Sequence, residues 1–152
     1  MKILIVEDDD RKRDQVREVA LDALPGASIE VARSFSSGRR AILLDGPDLV
    51  LLDMTMPTFD TTESDRGGRQ RGFGGRDILE EIVRLGASTK VIIVTQYDVF
   101  GEGDDKKTLN ELQSELEKAF PRLYVGTVYY HAVYTNWQRE LNVLMKTAAR
   151  EQ

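Results

Sequence analysis

Carboxylates stand where two short apolar runs end. Leu49, Val50, Leu51 and Leu52 are followed by Asp53, and Ile3 to Val6 run into Glu7, Asp8, Asp9 and Asp10. A third bare run, Val91 to Val94, stops on Thr95. If the first two runs are adjacent strands, Glu7, Asp8 and Asp53 converge on one small pocket. Like charges so close raise one another's pKa and cannot all stay ionised unless something positive joins them. A hard dication meets that need: Mg2+ takes carboxylate and carbonyl oxygens and keeps several waters for an incoming phosphate. Thr95 then supplies a hydroxyl to a phosphoryl oxygen, and backbone N–H groups in the following turn add donors. The plain alternative for Asp53 is a solvated strand end. Asp9 and Asp10 suit the N-terminus of the first helix, where the helix dipole favours negative charge.

The elements that must position these groups alternate along the chain. After the first strand, Val16, Val19, Ala20 and Ala23 recur at helical spacing, ended by Pro25 and Gly26. Ser28 to Ala32 reads as a second strand, and Ser36 or Ser37 caps a helix that carries Ala41, Ile42 and Leu44 and stops at Gly46. The strand ending on Asp53 follows. A helix from about Arg76 places Ile78, Leu79, Ile82, Val83 and Leu85 on one face, and the strand ending on Thr95 comes after it. Leu109, Leu112, Leu116 and Phe120 mark a fourth helix, about 123 to 130 a fifth strand, and Leu141, Leu144 and Met145 a last helix. Five strands alternating with five helices predict a parallel sheet with right-handed crossovers. Three strands are apolar on both faces, as expected when helices cover both sides. Such sheets bind ligands beyond the carboxyl ends of their strands, at the switch point of strand order.

Composition narrows the classes. A chain of 152 residues is one domain by length and large enough to bury a core without staples. There is no cysteine, which removes disulfides and thiolate metal sites and fits a reducing, cytoplasmic compartment. The formal net charge of −5 argues against nucleic acid as a partner. No apolar run approaches the ~20 residues of a membrane-spanning helix.

In order and spacing, ILIVEDDD, LVLLDMTMP and VIIVTQYD resemble the receiver domain of two-component response regulators, over nearly the whole chain. The resemblance implies a flavodoxin-like (βα)5 doubly wound sheet of strand order 2-1-3-4-5. It implies a phosphoprotein in a phosphorelay, taking a phosphoryl group from a histidine kinase or phosphotransfer protein onto an aspartate. By that match Asp53 is the phospho-acceptor and Thr95 the switch hydroxyl, while Glu7, Asp8, Asp53 and the main-chain carbonyl of Thr55 hold Mg2+. Output passes through the face of the fourth helix, fifth strand and fifth helix, to an unidentified protein or a second copy. The resemblance implies at most self-phosphorylation and dephosphorylation as enzymatic activity.

The chain departs from the pattern in four places. Receivers carry a lysine at the end of the fifth strand, paired with the acceptor or its phosphoryl group, whereas no lysine lies between Lys118 and Lys146 here. Counting along the strand puts His131 at that position; counting back from the last helix puts Tyr134 there. Gln96 replaces a small residue after the switch hydroxyl and narrows access to the pocket. An insertion at about 60–75 carries Arg66, Arg69, Arg71 and Arg76 among five glycines. It reads as a mobile surface loop or as an arm that binds anions or a partner through guanidinium groups. The stretch at about 101–120 is longer than usual and predicts an extended fourth helix.

With no effector domain after the fifth helix, the expectation is a stand-alone receiver acting through protein contacts. The alternative is a degenerate receiver that binds a partner without phosphotransfer. A haloacid dehalogenase-like phosphohydrolase also uses a strand-end aspartate, but wants a second acid where Thr55 stands.

Overall fold

The computed structural model describes residues 1–61, 67–68 and 70–152. In chain order the elements are β1 (Lys2–Val6), α1 (Asp10–Ala23), β2 (Ser28–Ala32), α2 (Phe35–Asp45), β3 (Leu49–Leu52), β4 (Met56–Pro57), β5 (Gln70–Arg71), α3 (Gly74–Leu85), β6 (Lys90–Thr95), β7 (Val99–Phe100), β8 (Lys107–Thr108), α4 (Leu109–Ala119), β9 (Tyr124–Tyr129) and α5 (Asn136–Arg150). Five of the strands form a parallel sheet of order β2-β1-β3-β6-β9. Counting only these five, the order is 2-1-3-4-5, the flavodoxin-like arrangement.

Side-chain alternation along the strands splits the core into two layers. Leu4, Val6, Val50 and Leu52 face one way, onto Ile42 of α2, Ile78, Leu79 and Ile82 of α3 and Leu112 and Leu116 of α4. Ile3, Ile5, Leu49 and Leu51 face the other way, onto Val16, Val19 and Ala20 of α1 and Leu141, Met145 and Ala148 of α5. The central strands β1, β3 and β6 are therefore apolar on both faces. No described helix is long and apolar enough to cross a membrane.

Helix ends are set by local chemistry. Asp9 caps α1, accepting from the Lys12 N–H at 2.9 Å. The cap of α2 is Ser34, in a capping box with Ser37, rather than Ser36 or Ser37 itself. Thr108 and Glu111 form the equivalent box on α4. Gly46 and Gly86 end α2 and α3 in the left-handed conformation.

Two stretches differ from the sequence-based expectations. The residues before α4 do not extend that helix, which is 11 residues long. They fold back as the antiparallel pair β7–β8, joined by a short 3-10 turn at Gly103–Asp105. Gly101 and Gly103 take positive φ in this bend, a conformation closed to most side chains, so the chain turns where a helix would have continued. In the 60–75 insertion, Gln70–Arg71 pairs antiparallel with Met56–Pro57, and Gly74 and Gly75 open α3. Arg71 stacks on Phe35, 3.9 Å from the ring centroid, and pairs with Asp77, while Arg76 bonds Glu115 at 2.9 Å. These two guanidinium groups are thus tied to the fold. Arg66 and Arg69 lie outside the described residues.

Candidate functional site

The parallel register builds the site. Val6 of β1 lies opposite Leu52 of β3, and the Asp53 N–H donates to the Val6 carbonyl at 3.2 Å, so Glu7 and Asp53 leave the sheet side by side. Carboxylate oxygens of Glu7, Asp8 and Asp53 all lie within 4.8 Å of one another. Glu7 and Asp53 are buried and Asp8 is exposed, so the cluster opens to solvent on the Asp8 side. Thr95, fully buried at the end of β6, uses its hydroxyl oxygen to accept from the Tyr97 N–H at 3.2 Å. Thr55 is half-buried in the turn after Asp53, and its hydroxyl donates to the Gly72 carbonyl. Thr55 and Tyr97 also line an open groove of about 670 Å3 walled by Phe73, Phe100 and Gly101, so both hairpins border the site. Gln96 is exposed and bonds the Tyr97 hydroxyl.

The cation at the centre of the described site comes from α1. Lys12, in the first turn of α1, is 1 % exposed, and its Nζ sits 2.5 Å from Glu7 Oε1 and 3.1 Å from Asp53 Oδ2. A short circuit holds it there. The Asp9 N–H donates to Glu7 Oε2, Asp9 Oδ1 accepts from the Lys12 N–H, and the Lys12 side chain returns to Glu7. Lys12 also lies 5.8 Å from the centroid of the Tyr130 ring. The signal was present in the sequence: Lys12 continues the buried stripe of Val16, Val19, Ala20 and Ala23 one turn upstream. A lysine on the apolar face of a helix needs a buried partner.

Both residues considered for the fifth-strand lysine position lie on the surface. His131 is exposed, and its Nδ1 accepts from the N–H groups of Val133 and Tyr134. Tyr134 is 68 % exposed and stacks against His131. Both residues follow the end of β9, in the turn that leads to α5, whereas among the described residues the cation on Asp53 is supplied by α1.

Burial governs the electrostatics. It pushes Glu7 up to about 7, with Lys12 pulling it down and Asp53 pushing it further up. Asp53 is raised above the usual carboxylate range by burial, against the pull of Lys12 and of the nearby Thr55 and Met54 N–H groups. Lys12 is held above its ordinary value; burial acts against its charge, but Asp53 and Glu7 together outweigh that. Three carboxylates and one ammonium leave a formal charge of −2, which a single divalent cation would neutralise. Asp53 Oδ1 is buried without a hydrogen-bond partner among the described residues, an acceptor still open to a cation or an electrophile. The donor set, all carboxylate oxygen on a solvent-facing edge, suits a hard divalent ion.

No protein-family model matches the chain. It is 34 % identical to the uncharacterized protein y4jR of Sinorhizobium fredii (strain NBRC 101917 / NGR234), over 91 % of this chain and 92 % of that one. It is 32 % identical to the Detocs response regulatory protein DtcB of Enterobacter cloacae (strain JD6301), over 93 % of this chain and 95 % of that one. Among solved structures it resembles a response regulator receiver domain protein from Clostridium thermocellum (TM-score 0.61, 21 % identity, 98 % and 94 % of the two chains). It is also similar to the response regulator domain of Thermotoga maritima CheB (TM-score 0.63, 16 % identity, 99 % and 95 %). The Mn(2+)-bound form of response regulator Rcp1 matches with TM-score 0.61 and 16 % identity, over 94 % and 90 %. With the sheet order, the strand-end acids and a full-length curated relative in agreement, the chain belongs to the response regulator receiver family of two-component signalling.

Proposed function

We propose that the chain is a stand-alone receiver that takes a phosphoryl group on Asp53, from a histidine kinase or phosphotransfer protein, with a divalent cation bound by Glu7, Asp8, Asp53 and the main-chain carbonyl of Thr55. The observation that carries this reading is the cluster of three carboxylates at the β1 and β3 ends, with one oxygen of Asp53 still open. A structural neighbour solved in an Mn2+-bound form supports a divalent ion, and Mg2+ is the ion we assign. When bound, the ion would withdraw charge from the phosphoryl oxygens as they approach the acids. The chain's own groups do the rest. Asp53 presents a carboxylate oxygen, Lys12 and Glu7 fix its orientation, and Thr95 offers a hydroxyl on the neighbouring strand end.

Signalling would proceed through contacts with an output protein or a second copy, over α4, β9 and α5. The degenerate alternative, partner binding without phosphotransfer, draws on the Glu7–Lys12–Asp53 pairing, which already offsets part of the pocket's charge.

Beryllofluoride, a mimic of an acyl phosphate, separates the two readings. Fluorine NMR should show a bound species with Mg2+ present, lost on adding chelator and absent in Asp53→Asn and Asp8→Asn. Absence of a bound species in wild type at millimolar Mg2+ would leave the degenerate receiver.

A further inference from the structure

Resting on that reading, we propose that Lys12, carried by α1, is the cation that anchors the phosphoryl group on Asp53, and that it passes the event to α5 through Tyr130 and Trp137. Among the described residues, reach favours Lys12. Lys12 Nζ lies 3.1 Å from Asp53 Oδ2, whereas Arg71 and Arg76 are committed to Asp77 and Glu115. An added phosphoryl group places roughly −1.5 to −2 charges beside Asp53. Lys12 Nζ already touches both partners that a phosphoryl oxygen would have to displace or join, so meeting that oxygen requires only a side-chain shift.

The transfer itself balances simply. A lone pair of an Asp53 carboxylate oxygen forms the new O–P bond as the donor's bond to phosphorus breaks. The donor leaves with that electron pair and takes a proton from solvent, and nothing is oxidised or reduced.

The route outward follows from what surrounds the lysine. Tyr130 is buried, its ring lies under the Lys12 ammonium, and its hydroxyl donates to Gln15 of α1. The same ring meets Trp137, in the first turn of α5, with centroids 4.9 Å apart. The Tyr130 N–H also donates to the Thr95 carbonyl at 2.8 Å, joining the same residue to the end of β6. A displaced ammonium therefore disturbs a packed aromatic pair that seats α5 on the sheet. Trp137 is the sole tryptophan, so its emission reports that contact directly.

The test uses the full chain with phosphoramidate and Mg2+, in wild type, Lys12→Met, Lys12→Arg and Asp53→Asn. Adduct formation is followed by intact mass and the Trp137 contact by fluorescence. Wild type should gain an adduct with a change in Trp137 emission. Lys12→Met should gain it about tenfold more slowly, the scale of one lost charge-assisted contact, and without the emission change. Lys12→Arg should recover part of the rate. Mg2+ should bind Lys12→Met at least as tightly as wild type, because a competing positive charge is gone; a purely structural role would weaken it. If wild type forms the Asp53 adduct and Lys12→Met matches it in rate and emission change, the inference fails while the acceptor function stands. No adduct in wild type removes both. Circular dichroism confirms folding, and Lys12→Gln is read by the same criteria if Lys12→Met does not fold.

Discussion

The three ionisable groups at the centre of the site are legible to very different degrees. Glu7 and Asp53 announce themselves because an acid directly after an uninterrupted apolar run has no packing reason to be there. Lys12 does not, because a single cation on a helix is unremarkable until the stripe it joins is seen to be buried. The fifth-strand end, where the receiver pattern carries its lysine, offers only His131 and Tyr134, and both are exposed. The pair Glu7 and Lys12 also has a measurable signature in metal-free protein. Glu7 titrates at about 7 in the fold, above its ordinary 4.5, so between these values the folded chain holds a proton that the unfolded chain has released. Its contribution to stability therefore falls as pH rises through that window and levels off above it. Urea unfolding in chelator, compared with Glu7→Gln, should show wild type losing ground to the variant from about pH 4.5 to 7. A difference that stays constant across the window would mean that Glu7 is not buried as described.

At the scale of elements, the alternation of strand and helix was readable because its cause is periodic. Strands apolar on both faces and helices with one apolar stripe have few ways to pack. The two hairpins were not readable, since β4, β5, β7 and β8 are two residues each and leave no periodic trace. They matter because they border the groove at Thr55, and because the turn from β5 into α3 runs against the acceptor loop. Gly75 shows how closely. Its N–H donates to the Met54 carbonyl, and a Cβ there would lie 2.9 Å from the Asp53 carbonyl oxygen and 3.0 Å from Met54 Cα. Alanine normally gains up to ~1 kcal/mol over glycine in a helix, but these neighbours are backbone atoms that cannot rotate away. Gly75→Ala should therefore destabilise by about 1–3 kcal/mol, the usual cost of overpacking, in urea titration. Gly26→Ala, with nothing within 4 Å and no positive φ, is the neutral control.

For the molecule as a whole, the sheet decides what the site sees. Placing β1 and β3 side by side brings Glu7 and Asp53 together, β6 adds Thr95, and β9 leads into Tyr130. One helix layer then contributes the lysine and its aromatic neighbours, and the opposite layer contributes α3 and the groove wall. A phosphoryl group on Asp53 would thus lie between two halves of the core, and the α1–Tyr130–Trp137 contacts give the layer holding α1 and α5 a direct connection to it. Coupling of that kind works by shifting a balance between states a few kcal/mol apart, so modest changes at the pocket suffice. All of it depends on Asp53 being a metal-dependent acceptor. Incubation of the chain with acetyl phosphate and Mg2+, read by intact mass and then by peptide mapping, tests this most directly. One phosphoryl adduct is expected, located on Asp53, lost in chelator and absent in Asp53→Asn. An unmodified wild type, or an equal adduct in Asp53→Asn, would contradict it.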